Sequence, residues 1–220
     1  MGAELADPDD DMLLISRLGQ AIRFPCSDDQ LRPMGRPTSG VTGMRFRDDD
    51  SLLAMAVVSA GGVPDDDQSD DQAEDDQTDD QGPFVFTVTD GGYAKRSSVA
   101  SYRVQNRGGL GIKAMKLTDD RGELVGALVV QAGDKVMAIR ESGQITRSQV
   151  DEVPVKGRDT MGVRFVNVRG KDRVIAIAHD PEPDEPEEST DAEPETAEGA
   201  ADVDEATTSG ETDAGEPDQF

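Results

Sequence analysis

VTDGGYAKR, residues 88–96, sets two glycines between an apolar run and a return of mixed apolar and polar side chains. Glycine supplies the positive φ of a tight turn, so the stretch reads as the bend of a β-hairpin. The same frame recurs without gaps as ISRLGQAIR (15–23) and IRESGQITR (139–147). In each copy an anchor glycine is followed four residues later by arginine: Gly19 and Arg23, Gly92 and Arg96, Gly143 and Arg147. A second element follows each hairpin: RPTSG (36–40), RGGLG (107–111) and RDTMG (158–162), with arginine four residues ahead of glycine. Two linked elements occurring three times define an internal repeat.

The anchor glycines lie 73 and 51 residues apart, and a 17-residue acidic stretch inside the first interval accounts for most of the difference. A unit is therefore about fifty residues long, the length of a propeller blade or related β-module. Each unit carries an apolar run before the anchor glycine (MLLIS, VFTVT, KVMAI) and a strand returning from it. A third run follows the second glycine (VTGMRF, IKAMKL, VRFVNV), and a fourth closes the unit (LLAMAVV, LVGALVV, RVIAIA). No stretch of a dozen residues has helical periodicity. The expected fold is all-β and propeller-like, with about three four-stranded blades at 11–64, 83–131 and 132–178 after an N-terminal segment 1–10.

The chain is strongly acidic, with a formal net charge of −25, but the charge is unevenly placed. Residues 65–81 (DDDQSDDQAEDDQTDDQ) hold 10 acidic and no basic residues, and the tail 179–220 holds 17 acidic and no Lys or Arg. The remaining chain has 20 acidic residues against all 22 basic ones, so its foldable part is slightly positive. Both acidic segments, 65–82 and 179–220, lack the apolar surface needed to offset the entropy of ordering and are expected to be disordered. The D-D-Q pattern lacks the central glycine and closing glutamate of a calcium loop, so no metal is expected. Abundant acids beside six Lys and sixteen Arg fit a high-salt cytoplasm.

Catalytic signals are few. The lone Cys26 has no second cysteine to bridge, and the only histidine, His179, borders the acidic tail. The N-terminus has neither a basic n-region nor an apolar h-region, and no apolar run approaches the ~20 residues of a membrane span. A cytoplasmic protein without membrane contact is expected. RVQNRGGLGIK (103–113) contains a G-x-G, but strand-rich repeats on both sides assign it to a blade turn rather than to a nucleotide loop. The chain carries no Gly-Lys-Ser/Thr phosphate loop, so no cofactor is expected.

Equivalent arginines on successive blades would form a basic stripe around an outer rim. Candidate contacts to the backbone of double-stranded DNA are Arg23, Arg36, Arg45, Lys95, Arg96, Arg107, Lys113, Arg147, Arg158 and Arg164. Such phosphate contacts give affinity and position with little base selectivity. The sparse aromatics weigh against a single-strand binder that stacks bases.

The units resemble blades of the C-terminal β-pinwheel domain of the DNA gyrase A subunit, shared in part by topoisomerase IV. MLLISRLGQAIRF with RPMGRPTSGVTGMRF resembles one blade; FVFTVTDGGYAKRSSVASYRVQNRGGLGIKAMKL and VMAIRESGQITRSQVDEVPVKGRDTMGVRF resemble the next two. The likeness covers about residues 11–178, and the acidic tail is also usual in that family. It implies a domain that wraps DNA on its rim and directs strand passage by the attached core towards negative supercoiling. Implied partners are the gyrase A and B subunits, with ATP and magnesium only in the complete enzyme and a chromosome-associated location. The family's box Gln-[Lys/Arg]-Arg-Gly-Gly-[Lys/Arg]-Gly is matched in degenerate form by Gln105, Asn106, Arg107, Gly108, Gly109, Leu110 and Gly111. It falls in the middle unit, so the chain corresponds to the last three blades and the tail, without the catalytic tyrosine. Two other readings remain open: a β-module that docks on the gyrase core, and a truncated remnant without function.

Overall fold

The computed structural model describes residues 2–47, 49–59 and 82–180; the acidic stretch 65–81 and residues 181–220 lie outside the described residues. Eleven strands follow one another: β1 (Asp11–Ser16), β2 (Gln20–Pro25), β3 (Leu52–Val58), β4 (Phe84–Thr89), β5 (Tyr93–Ser98), β6 (Ile112–Lys113), β7 (Leu124–Val130), β8 (Lys135–Arg140), β9 (Ile145–Gln149), β10 (Val163–Arg164) and β11 (Val174–Asp180). Helical turns among the described residues are limited to two three-residue 3-10 segments, Val99–Ser101 and Val150–Glu152. The fold is all-β, as the repeats predict.

Each unit builds an antiparallel hairpin, β1–β2, β4–β5 or β8–β9, whose first strand also pairs with the closing strand β3, β7 or β11. The anchor glycines sit in the three turns at φ 79°, 80° and 81°, where a Cβ would be strained. The third run of each unit departs from expectation. It contributes only the two-residue strands β6 and β10, and these join the sheet of the preceding unit. The sheets therefore run β3-β1-β2-β6, β7-β4-β5-β10 and β11-β8-β9, the last with three strands. Gly111 and Gly162 make this crossing possible. Their Cβ positions would fall 2.3 Å from the Ala21 carbonyl oxygen and 2.5 Å from that of Ala94, so only glycine fits.

The core lies between units more than within them. Leu13, Ala21 and Val58 of the first unit pack with Val85, Val99, Met115 and Leu124 of the second. Phe84, Phe86 and Val88 of the second pack with Val136, Val150, Val166 and Val174 of the third. Such stacking makes stability a sum of unit and nearest-neighbour terms. It also decides which side chains of each unit face solvent.

Candidate nucleic-acid interface

Two of the three anchor arginines, Arg23 and Arg96, face inward, while Arg147 is exposed. Arg23 donates from Nε to Asp11 Oδ2 at 2.7 Å and from Nη1 to the carbonyls of Val99 (3.3 Å) and Tyr102 (3.5 Å) in the next unit. Its side chain is 10% exposed. Arg96 pairs with Asp151 of the following unit and stacks 4.9 Å over the Phe84 ring. Arg147 pairs with the buried carboxylate of Asp180, at the end of β11. Lys95, next to Arg96, is fully buried, and its Nζ donates to the carbonyls of Gly157 (2.8 Å) and Arg158. Burial lowers the Lys95 pKa to about 7, opposed by Asp159 and reinforced by Arg158. The structure thus places Arg23, Lys95 and Arg96 inside, where they latch neighbouring units and a duplex backbone does not reach. Recurrence along the sequence marked them, but recurrence is equally the signature of a structural latch.

The arginines of the second element occupy the turns between units. Arg107 donates from Nε to the Gln30 carbonyl at 2.6 Å and from Nη1 to the Thr42 carbonyl at 3.1 Å. Arg158 repeats the second contact, from Nη1 to the Lys113 carbonyl at 3.3 Å. Both remain partly exposed, while Arg36 in the first unit is exposed.

The invading strands and the residues after them carry the open cations. Arg45, Lys113 and Arg164 are exposed. Lys113 meets Asp159 at 3.0 Å across an exposed pair. Arg164 donates from Nη2 to the Tyr93 hydroxyl at 2.6 Å, and the Arg164 and Arg121 guanidinium groups lie 4.8 and 4.3 Å from the Tyr93 ring centroid. Sequence reasoning omitted several exposed cations of the same regions: Arg32, Arg47, Arg103, Arg169 and Lys171. Arg32 and Arg103 occupy equivalent positions, two residues before Met34 and Gln105, a signal that alignment of the second elements could have supplied.

The pattern that describes the DNA gyrase C-terminal domain, a β-propeller, matches residues 10–59, 83–131 and 134–178, one segment for each unit. This chain belongs to the DNA gyrase C-terminal domain family. The DNA gyrase A subunit of Streptomyces coelicolor is 53% identical over 182 residues, covering 83% of this chain and 19% of the relative. That of a Nocardioides species is 48% identical over 193 residues, covering 83% of the chain and 21% of the relative. The chain thus spans about a fifth of these relatives. Among solved structures, a DNA gyrase A C-terminal domain is matched with a TM-score of 0.64 at 20% identity, over 79% of this chain and 52% of that one. The C-terminal domain of a DNA topoisomerase IV follows with a TM-score of 0.63 at 18% identity, over 80% and 48%. The propeller-like fold expected from the repeats, a β-pinwheel by the family resemblance, is the fold of these neighbours.

The degenerate box of this family member is a structural turn. Gln105 donates its amide N–H to the Arg23 carbonyl at 2.8 Å, and Asn106 Oδ1 accepts from Gln30 Nε2 at 3.1 Å. Gly108 and Gly111 adopt φ of 75° and 74°, and Gly108 N–H donates to the Gly43 carbonyl at 2.6 Å. Leu110 is 38% exposed where the family box has a base. Tyr102 and Cys26 are not prepared as nucleophiles. Burial pushes the Tyr102 phenol up, and burial with Asp10 and Asp11 pushes the Cys26 thiol up. Among the described residues no three His, Cys, Asp or Glu side chains gather as a metal site, and no helix is long and apolar enough to cross a membrane.

Proposed function

We propose that the chain binds and wraps double-stranded DNA as the C-terminal part of a DNA gyrase A protein, and so contributes to negative supercoiling. The observation that carries this reading is the set of cations repeated from unit to unit on a family fold: Arg36, Arg45, Lys113 and Arg164 exposed, Arg107 and Arg158 partly exposed, joined by exposed Arg32, Arg103 and Lys116. Arg147 adds a partly exposed guanidinium at the third unit. A curved basic surface gains phosphate contacts as the duplex bends, and those contacts offset the elastic cost of bending. Strand breakage, ATP and magnesium belong in this reading to the rest of the gyrase A and B subunits, in the cytoplasm and on the chromosome.

The test is duplex affinity across a salt series for the wild type and for Arg45→Ala, Lys113→Ala, Lys116→Ala and Arg164→Ala combined. The expected outcome is weaker binding and a log–log salt slope reduced by about 0.9 for each phosphate left without its cation. Unchanged affinity and slope would remove the rim from the mechanism.

A further inference from the structure

The two joints between units are built on one plan and differ at three positions. At the first, β2 meets β6 and Gln20 stands opposite Lys113; at the second, β5 meets β10 and Tyr93 stands opposite Arg164. The loop ahead of the closing strand differs as well. In the first unit it carries Asp50, whose Oδ1 accepts from the Leu18 N–H at 2.9 Å and so caps the anchor turn. The third unit repeats this cap with Asp172, which accepts from the Ser142 N–H at 3.1 Å. In the second unit the cap is reversed. Asp90 in the anchor turn accepts from the Glu123 N–H at 3.2 Å, and the loop carries Arg121 in the place of the capping acid. Gln20, Asp50 and Lys113 of the first joint thus become Tyr93, Arg121 and Arg164 of the second. The charges of Asp50 and Lys113 cancel, whereas those of Arg121 and Arg164 add.

These three side chains of the second joint come together. Arg164 reaches the Tyr93 hydroxyl from Nη2 at 2.6 Å, and both guanidinium groups lie within 5 Å of the ring centroid, at 4.3 Å for Arg121 and 4.8 Å for Arg164. Arg121 is held in place through Nη1, which donates to the Met161 and Gly162 carbonyls at 3.1 and 3.0 Å. The ring attracts both cations but neutralises neither. Among the described residues no carboxylate forms an ion pair with either guanidinium; Asp119 and Asp120, nearest along the chain, are exposed. Donors are left over. Nε and Nη2 of Arg121, and Nε and Nη1 of Arg164, have no acceptor among the described residues. A hydroxyl that accepts from an arginine keeps its own proton to give, and the Tyr93 O–H gives it to no described residue. Two like charges beside one ring, with spare N–H and O–H groups and no counter-charge, make a receptor for an anion.

We propose that Tyr93, Arg121 and Arg164 clamp a single phosphodiester group of the wrapped duplex at the joint between the second and third units. The choice of ligand rests on the wrapping reading, and the clamp rests on the geometry of the three side chains. Planar guanidinium groups match phosphate oxygens with paired N–H donors, and the phenol proton adds a further contact. Tyr93 and Arg164 are cross-strand neighbours, so the clamp is built into the sheet. The first joint has no such receptor. Lys113 pairs there with Asp159 at 3.0 Å, and Asp50 is engaged in capping its turn. The second joint therefore grips one phosphate with three side chains, at a fixed point on a surface of separate cations.

Two titrations of the 220-residue chain test the clamp. In the first, inorganic phosphate is added at constant ionic strength and followed by NMR at the arginine Nε–H groups. The Arg121 and Arg164 signals should move together with one dissociation constant, and Arg121→Ala should abolish the Arg164 response. Signals that stay still, move separately or respond only to ionic strength overturn the clamp. In the second, duplex affinity is measured across a salt series. Tyr93→Phe keeps both cations and the ring, so the melting transition and the salt slope should hold while affinity falls about tenfold. Arg121→Ala combined with Arg164→Ala should lower the log–log slope by about 0.9, one phosphate, where two independent cations would lower it by about 1.8. Full affinity in Tyr93→Phe, or a slope loss near 1.8, overturns the clamp and leaves the basic rim standing. A wild type that seats phosphate at the two arginines yet binds no duplex removes the wrapping reading, and with it the duplex as the ligand.

Discussion

The hairpins of the second and third units share one sequence frame and differ in burial. Strand β4, FVFTVT, is buried at every residue, and β5 is buried at its four central positions. In the third unit β8 is buried only at Val136 and Ala138, and β9 is buried nowhere along Ile145–Gln149. The second hairpin has a unit on either side; the third has one neighbour among the described residues. Burial here belongs to the stack, and a strand's own sequence states only what it would bury if a neighbour arrived. The composition agrees: YAKRSS puts Ala94 at the position where ITRSQ has Ile145.

The largest expected difference lies in that contrast. Phe86 is fully buried and meets Phe165 edge-on at 5.4 Å, so Phe86→Ala should cost about 3–5 kcal/mol in denaturant unfolding. Ile145 is 61% exposed, so Ile145→Ala should stay within about 0.5 kcal/mol in the same measurement. Comparable costs at the two sites would break the stacking argument. The anchor glycines sharpen it, because Gly92 and Gly143 share a φ near 80° and differ only in their neighbours. Alanine at either position should cost about 1 kcal/mol for the left-handed backbone. At Gly92 it must also displace the Val166 carbonyl, 2.2 Å from the new Cβ, and should cost about 2 kcal/mol more.

Much of this was legible in the sequence because it recurs. The anchor glycines, the hairpins and the all-β class follow from three aligned frames, and each hairpin forms where glycine allows the turn. The crossing of β6 and β10 into the preceding sheet was not legible, since a two-residue strand has no periodicity to read. The same limit applied to the arginines. Arg23 and Arg45 are both cations in strand-like runs, yet Arg23 is held by Asp11 and two carbonyls of the next unit, while Arg45 is exposed. Only the position of the neighbouring unit separates a latch from an open cation. The acid at the end of β11 carries the same lesson. Asp180 reads as the first acid of a solvated tail, but it is buried against Arg147.

Lys95 gives an effect with a definite sign. Its equivalents are Ile22 and Thr146, so the second unit alone buries an ammonium at this position. Burial lowers its pKa from 10.5 to about 7 in the folded chain. Between those values the unfolded chain binds the extra proton, so stability rises with pH from about 7 to 10.5 and is flat outside that window. Relative to Lys95→Met, the wild type should gain roughly 3–4 kcal/mol between pH 7 and 10 in urea titrations. Parallel curves for the two chains would show that the carbonyls of Gly157 and Arg158 keep the ammonium charged throughout.

The smallest expected effect comes from the ion pair that bridges the first two units at the surface. Arg17 and Glu123 meet at 2.8 Å, but their side chains are 53% and 49% exposed. Water competes for both charges, and holding two long side chains in one geometry costs entropy. A double-mutant cycle with Arg17→Ala and Glu123→Ala should therefore give a coupling below about 1 kcal/mol that shrinks further in salt. The Arg96–Asp151 pair joins the second and third units with its guanidinium only 7% exposed, so the same cycle there should give a larger coupling that salt barely changes. Units are held together by what they bury, and equal couplings for these two pairs would contradict that.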